Sequence, residues 1–363
     1  MTTSTQRADS HPGQSGFVLI AVLAVLVILS ILGATIGAIT QRLRDQQLVR
    51  QSQLDADIAM ASTRATVLYL LASQRMTFGG LTVDDRVVLS EDEQRSQGSG
   101  ETAESFMPVG NEIAMDGSAY RGLGGTRFAL QDDRGLIAVN WVPAELLARY
   151  LATGRKQAKP IATMINLLQD YQDPDDLYRL NSAERQGYER DKRPPPTNRT
   201  LLTPMELRRV MGWDKALAEI SDLELNDSLS VVRSAQININ TAPARVLQTL
   251  PGVDKLMAGR VLGMRAVTPF LNLSAFYQLL GVLPVDEDML SLYPLGSGTL
   301  KLWSADGGTV HVLHWTLTPR ADGGWPWRED YEFILPGDET TTIEGSARPV
   351  AAKVFAQPDA PPR

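Results

Sequence analysis

The sequence predicts an α+β fold: a long amino-terminal helix, a small antiparallel sheet, and a large all-helical domain inserted between the strands. Residues 13–107 contain no proline, and apolar side chains recur between residues 54 and 72 at the helical steps of four and three. Residues 142–281 read as helical segments separated by prolines. Beyond residue 284, polar and apolar side chains alternate as they do in strands.

The composition is that of a folded, acidic protein. The chain has 363 residues, 43% of them hydrophobic, and a formal net charge of −7. This charge disfavours binding to a nucleic-acid backbone, which requires clustered Lys and Arg. The absence of cysteine excludes disulfides and thiolate metal sites.

The three histidines, His11, His311 and His314, are too scattered for a standard zinc site. Because His311 and His314 are three residues apart in a strand-like segment, they point to opposite faces, and we expect structural roles for both. The chain also lacks a phosphate-binding glycine loop, a serine elbow and a histidine beside a nucleophile. We therefore expect a protein that is not an enzyme.

Residues 17–39 are uncharged and dominated by Val, Leu, Ile and Ala. As a helix this segment would be about 35 Å long, enough to cross a hydrocarbon core of about 30 Å. The alternative, a cleaved secretory signal, has a shorter apolar region of about 7 to 15 residues. The helix is predicted to continue to Phe78, because the following Gly79 and Gly80 are a stop signal.

A short polar leader ends in Gly16, and the apolar run begins abruptly at Phe17. This junction resembles the type IV prepilin processing site. The resemblance implies that a prepilin peptidase cuts after Gly16 and methylates Phe17. Ala21 stands at the fifth mature position, where most pilin subunits have a glutamate. The minor pseudopilin K family of type II secretion systems characteristically lacks that glutamate.

The charges flanking the apolar helix favour one orientation and the family resemblance implies the other. Arg42, Arg44 and Arg50 follow the helix, whereas only Arg7 precedes it. The positive-inside rule would place the large domain in the cytoplasm. The K family implies a single-pass protein of the bacterial inner membrane with its large domain in the periplasm.

An internal repeat organises the helical domain. Residues 139–144 read VNWVPA, and residues 239–244, 100 positions later, read INTAPA. In each copy an asparagine and a proline precede a helical pattern, which is a helix-start signal. The repeat predicts two helical subdomains. The order of helix, strands, helical insert and closing strands resembles the K family across nearly the whole mature chain, which implies a pilin-like fold.

The predicted domains follow from these patterns and from the resemblance. They are a prepilin leader (1–16), an amino-terminal helix (17–78, with 17–39 transmembrane), the first part of a pilin-like α/β domain with a mobile loop (79–138), an inserted helical domain of helix-hairpin-helix or SAM-like type (139–285), closing strands (286–336) and a disordered tail (337–363).

Residues 170–176 gather four carboxylates in seven positions, and residues 181–184 read NSAE. Carboxylates at this density repel one another unless a cation or solvent intervenes, and oxygen ligands suit calcium. The segment is similar to the Asp-rich, Gly-Ala-Glu segment of the K family, with Ser182 in place of the glycine. The resemblance implies a calcium site; the alternative is a solvated acidic loop. The expected ligands are Asp170, Asp173, Asp175, Asp176 and Glu184.

Residues 240–265 also resemble a helix-hairpin-helix DNA-binding motif, which would make the chain a membrane-anchored DNA receptor. The candidate nucleic-acid contacts are Gly252, Lys255 and Arg260. Asp254 replaces the second glycine of the usual hairpin, and its carboxylate repels phosphate. We therefore favour a packed helical hairpin.

The K family implies a minor pseudopilin that promotes pseudopilus assembly and protein secretion across the outer membrane. Its implied partners are the minor pseudopilins I and J, with H and the secreted substrate as further candidates, together with the prepilin peptidase. Nucleic acid is not an expected partner. A wide helical domain leaves no room for another subunit above it, so the filament tip is the expected position.

Overall fold

A computed structural model describes residues 15–84, 106–153, 159–281, 287–319, 324–337 and 347–355. Most of the predicted leader and most of the predicted mobile loop lie outside these ranges. The chain divides into two units, Met1–Asp57 and Ile58–Arg363. Helix α1, Ser15–Ser73, contributes to both units.

The described part of the first unit is a single continuous helix. Its large apolar side chains from Val18 to Ile39 are all exposed. By length and composition, Val18–Ser73 could cross a membrane. Helix α1 ends at Ser73, five residues before the predicted end, because Met76–Thr77 turns into a short hairpin with Gly80–Leu81.

The second unit contains a five-stranded antiparallel sheet whose neighbouring strands are, in order, Trp327–Pro336, Thr309–Leu317, Ser297–Ser304, Thr126–Asp132 and Asp116–Arg121. Its strands are β3 (Asp116–Arg121), β4 (Thr126–Asp132), β9 (Ser297–Ser304), β10 (Thr309–Leu317) and β11 (Trp327–Pro336), and the preceding hairpin is β1 (Met76–Thr77) and β2 (Gly80–Leu81).

The carboxyl-terminal part of α1 belongs to the core of this sheet. Val67, Leu68 and Leu71 share a buried cluster with Phe128 and Leu300 from the central strands. These residues lie on one face of the helix. That face is not the predicted stripe, because only Leu68 is buried among the predicted periodic positions Leu54, Ile58, Ala61, Ala65, Leu68 and Ala72.

A tight turn before β4 holds the helix and the sheet together. The Leu123 N–H donates to Thr63 Oγ1 of α1 at 3.0 Å. A Cβ placed on Gly122 would lie 2.6 Å from Thr63 Cγ2. Only glycine lets the turn approach the helix this closely.

The helical domain is inserted between two hydrogen-bonded neighbours of the sheet. The chain leaves β4 at Asp132 and returns on β9, where Gly298 pairs with Asp132. The predicted α+β class, with an insert between strands, is confirmed. Its elements are β5 (Ile137–Ala138), α2 (Ala144–Ala152), α3 (Ile161–Gln172), α4 (Arg185–Arg190), α5 (Trp213–Ala216), α6 (Asp222–Asn226), β6 (Leu229–Ser230), β7 (Ile237–Asn238), α7 (Ala244–Leu247), α8 (Lys255–Val267), α9 (Leu273–Leu280) and β8 (Leu290–Ser291).

The insert is not all-helical, which corrects the prediction in one respect. Strand β5 pairs in parallel with β6, and β7 pairs in parallel with β8. Each two-residue pair closes one copy of the repeat by joining its beginning to its end. The repeat therefore marks two half-domains, 137–230 and 237–291, that share one apolar core.

The two repeated asparagines have the same structural role. Asn140 bonds both the N–H and the C=O of Leu201 through its side-chain amide, and Asn240 bonds the same two groups of Phe270. Each amide also donates to a carbonyl near the closing strand, of Val231 or Leu292. A side-chain amide offers the matched donor and acceptor that a buried peptide group requires.

Part of the predicted disordered tail is packed on the sheet, so that prediction is wrong for residues 347–355. Arg348 forms a backbone bridge beside Tyr120 on the edge strand β3. The ring of Phe355 stacks on Phe128 at 5.5 Å and is 8% exposed. The polar, proline-rich composition of the tail gave no indication that Phe355 is buried.

Candidate metal centre

The candidate metal centre lies in the first half-domain, between the end of α3 and the start of α4. Asp170 lies in the last turn of α3, Asp173 is its C-cap, and Glu184 is the N-cap of α4. The i, i+3 spacing of the two aspartates puts them on one face of the helix end. The loop between the helices then brings Glu184 alongside them.

Three carboxylates converge at this point. An oxygen from each of Asp170, Asp173 and Glu184 lies within 4.8 Å of the other two. Asp170 and Glu184 are almost completely buried, at 0% and 1% exposure. Two carboxylates at a helix carboxyl terminus also oppose the helix dipole, which favours cations there. The arrangement is costly without positive charge.

Glu184 carries the clearest sign of a missing partner. Neither of its carboxylate oxygens has a hydrogen-bond partner among the described residues, and Asp173 Oδ1 also has none. Burial, together with the charges of Asp170, Asp173, Asp176 and Asp175, raises the pKa of Glu184 to about 7. Buried oxygens of this kind are normally paired.

Arg179 supplies the positive charge at the cluster. Its guanidinium bonds to both Asp170 and Asp173, and its backbone N–H donates to Asp170 Oδ2 at 3.0 Å. These hydrogen bonds raise the pKa of Arg179 above its already high value, so the side chain stays charged. Sequence reasoning missed Arg179, although a lone basic residue inside an acidic run was a visible signal.

The structure brings together only three of the five predicted ligands. Asp175 and Asp176 are exposed and lie outside the convergent group, and Asp175 Oδ1 accepts the backbone N–H of Leu177 at 2.9 Å. The Pro174 turn directs these two side chains toward solvent. Spacing alone did not distinguish the inward carboxylates from the outward ones.

Ser182 lies in an ordinary backbone conformation beside a left-handed asparagine. Asn181 takes the left-handed conformation, with φ of 58°, whereas Ser182 is not among the described non-glycine residues with positive φ. Asparagine tolerates this region better than most residues. The Ser182 hydroxyl is buried and has no hydrogen-bond partner in the described part of the chain.

The cluster fits a hard cation. Its donors are all carboxylate oxygens, two of the three groups are buried, and unpaired oxygens face the centre. Calcium accepts six to eight oxygens in irregular geometry, so the remaining positions would be open to carbonyl groups or water.

The second candidate site, for nucleic acid, is not supported. Gly252, Lys255 and Arg260 are exposed on and before α8, but Asp254 caps this helix by accepting the Met257 N–H at 2.7 Å. A carboxylate therefore occupies the helix terminus at which a phosphate would bind.

The remaining sequence-predicted site residues, Gly16 and Phe17, lie near the start of α1. Their side chains are outside the described part of the structure. From Val18 to Ile39, the large apolar side chains are exposed. Cleavage after Gly16 and methylation of Phe17 therefore stay predictions.

The fold places the chain in a structural class of α+β proteins with a long amino-terminal helix, an antiparallel sheet and a largely helical insert between two of its strands. A family model described as "Type II secretion system (T2SS), protein K" matches residues 237–292, the second half-domain. This segment is therefore similar to the family that the sequence analysis named.

One solved structure is similar over most of the chain. It is a chain of the GspK-GspI-GspJ complex of the enterotoxigenic Escherichia coli type 2 secretion system, with a TM-score of 0.48 and 16% sequence identity. The similarity covers 82% of this chain and 100% of that chain. A comparison with curated protein sequences found no match.

Proposed function

We propose that this chain is a minor pseudopilin of a type II secretion system that sits at the tip of the pseudopilus. The observation that carries the proposal is the family match over residues 237–292. A single apolar helix at the amino terminus suits a single-pass membrane anchor. We place the anchor in the inner membrane and the large domain in the periplasm.

The tip position follows from the insert and from Ala21. The helical domain forms its own core in addition to that of the sheet, and we infer that this bulk leaves no room for a further subunit above it. Ala21 offers no carboxylate for the amino terminus of a subunit already in place, and such a charge would be costly in lipid without its partner. A subunit without that contact is suited to enter the filament first.

The proposed partners are pseudopilins of the I and J types, which the complex of the similar structure contains. The test is co-purification of the tagged full-length chain from detergent-solubilised membranes that also contain I- and J-type subunits. We expect all three proteins to be retained together. Loss of both partners at low salt and mild detergent would contradict the tip assignment.

Processing is tested separately. We expect co-expression with a prepilin peptidase to yield a mature amino-terminal peptide that starts at methylated Phe17. An intact leader, measured by mass spectrometry, would remove the chain from the processed pseudopilins.

We also propose that Asp170, Asp173 and Glu184 hold a calcium ion that links the end of α3 to the start of α4. Bound calcium would supply the charge that these carboxylates lack. Glu184→Gln should abolish calcium-dependent stabilisation, measured as the shift in melting temperature of the full-length chain in detergent. Without calcium the same variant should melt no lower than the wild type, because a neutral amide replaces an unpaired buried carboxylate.

Asp175→Asn is the matched control, since it removes an acidic charge of the same loop outside the convergent group. It should retain the calcium-dependent shift. Equal loss of the shift in both variants would indicate that calcium binds diffusely to an acidic loop.

A further inference from the structure

The contacts of Arg179 have a consequence for cation binding at this centre. Its guanidinium bonds to Asp170 and Asp173, two of the three convergent carboxylates, and its backbone N–H donates to the other oxygen of Asp170. Its side chain remains 39% exposed. Arg179 is therefore tethered by its main chain while its charged end has access to solvent.

The positive charge of Arg179 does not complete the site. The guanidinium makes no hydrogen bond to Glu184, whose two oxygens stay unpaired among the described residues. One cation faces three carboxylates within 4.8 Å of one another. The neutralisation is partial, so a divalent ion of higher charge density has more to gain at this position than the guanidinium.

We propose that Arg179 is a tethered counter-ion that competes with calcium for Asp170 and Asp173, so that calcium binds by displacing the guanidinium into solvent. This inference rests on the calcium site proposed above. Calcium must approach its ligand oxygens to 2.3–2.6 Å, about the region that the guanidinium fills. Two cations on the same oxygens repel each other, and only the arginine has a flexible stem.

Competition has two measurable effects. Without calcium, Arg179 holds the loop between α3 and α4 in its folded arrangement. When calcium is added, it must displace the guanidinium, which weakens the apparent affinity of the site for calcium. If the guanidinium is bound to the carboxylates about nine-tenths of the time, the apparent Kd for calcium rises about tenfold. Removal of Arg179 should therefore tighten calcium binding while it destabilises the calcium-free protein.

The experiment compares wild type, Arg179→Gln and Arg190→Gln as full-length chains in detergent micelles, by calcium titration calorimetry and by melting with and without calcium. Arg190 is the matched control because it lies in α4 near the site with an 80% exposed side chain. Arg179→Gln should bind calcium about tenfold more tightly and melt lower without calcium. Arg190→Gln should change neither value beyond a general charge effect.

The outcomes separate the two proposals. Unchanged or weaker calcium binding by Arg179→Gln, with normal binding by the wild type, overturns the competition and leaves the calcium site intact. An equal gain in calcium affinity in Arg190→Gln also overturns the competition, because the loss of any nearby positive charge would then explain the gain. Absence of calcium binding in every form overturns both the calcium site and the competition, whereas binding only after removal of Arg179 supports both. Co-purification with I- and J-type subunits tests the tip assignment independently.

Discussion

The imidazole of His314 is held between two carboxylates inside the sheet. Nε2 lies 2.9 Å from Asp133 Oδ2, and Nδ1 lies 2.9 Å from Asp330 Oδ2. Tyr331 stacks on the ring at 4.8 Å. Burial lowers the pKa of His314. The charge of Asp133 and the hydrogen bonds to both carboxylates raise the pKa by more than burial lowers it, to about 9. The residue is therefore a charged imidazolium at neutral pH.

This arrangement predicts a loss of stability in mild alkali. Because the folded-state pKa of His314, about 9, lies above its usual 6.5, its stabilisation is complete below pH 6.5 and is lost as pH rises through 9. Between pH 7.5 and 9.5 the unfolding free energy should fall by about 2 kcal/mol. Urea unfolding followed by fluorescence measures this change.

The chosen window avoids the other shifted groups. Asp132 and Glu184 have raised pKa values of about 6 and about 7, and burial raises the pKa values of Tyr120, Tyr150 and Tyr171 above their usual 10. His314→Gln should remove the slope, whereas His311→Gln, on the opposite face, should keep it. A slope that survives in His314→Gln would mean that another group titrates.

At the scale of elements, the two half-domains differ mainly by the acidic segment. Asn140 reaches Leu201 across a stretch that includes the loop after α3 and helix α4, whereas Asn240 reaches Phe270 just beyond the end of α8. Each half-domain also has a glycine with positive φ after a later helical segment: Gly212 in the first, with φ of 86°, and Gly281 in the second, with φ of 67°. The candidate metal centre is thus additional sequence within one copy of a shared framework.

The carboxyl-terminal segment is a second element whose contribution can be measured. Phe355→Ala should lower the unfolding free energy by about 3 kcal/mol, because it leaves a cavity beside Phe128. Val354→Ala, at a side chain that is 49% exposed, is the matched control and should cost less than about 0.5 kcal/mol. Equal effects of the two substitutions in urea unfolding would show that Phe355 does not pack on the sheet.

At the scale of the whole second unit, two ion pairs join the insert to the sheet. Arg265 on α8 lies 3.3 Å from Asp116 on β3, and Lys301 on β9 lies 2.7 Å from Asp227 after α6. Asp132, at the junction, accepts hydrogen bonds from Asn238 and Thr241 of the second half-domain. Burial raises the pKa of Asp132 to about 6.

The Arg265 junction predicts strong coupling between the insert and the sheet. Arg265→Met should cost about 3 kcal/mol, because it leaves Asp116 and the carbonyls of Ile239 and Ala242 without their cationic donor. Arg260→Met, on the exposed side of the same helix, should cost less than about 0.5 kcal/mol. Guanidinium unfolding followed by far-UV circular dichroism tests both values, and similar losses would contradict the buried junction.

The sequence alone determined the features that depend on local pattern and composition. The apolar run 17–39 lies within α1, as predicted, and the repeat at 139 and 239 lies at the starts of the two half-domains. The fold class follows from the order of these patterns, because helices and strands express their periodicity within a few residues. The acidic run at 170–176 indicated that carboxylate oxygens would be the ligands of a metal site in this segment.

The tertiary structure decided which of these residues meet. Glu184 turns inward beside Asp170 while Asp175 turns outward. His314 contacts Asp133 after β4 and Asp330 on β11, and Phe355 stacks on Phe128 of β4. Such contacts join residues far apart in the chain, and their formation depends on the closure of loops that no local pattern encodes. The order of helices and strands was therefore readable from the sequence, whereas the position of Arg179 in the centre required the fold.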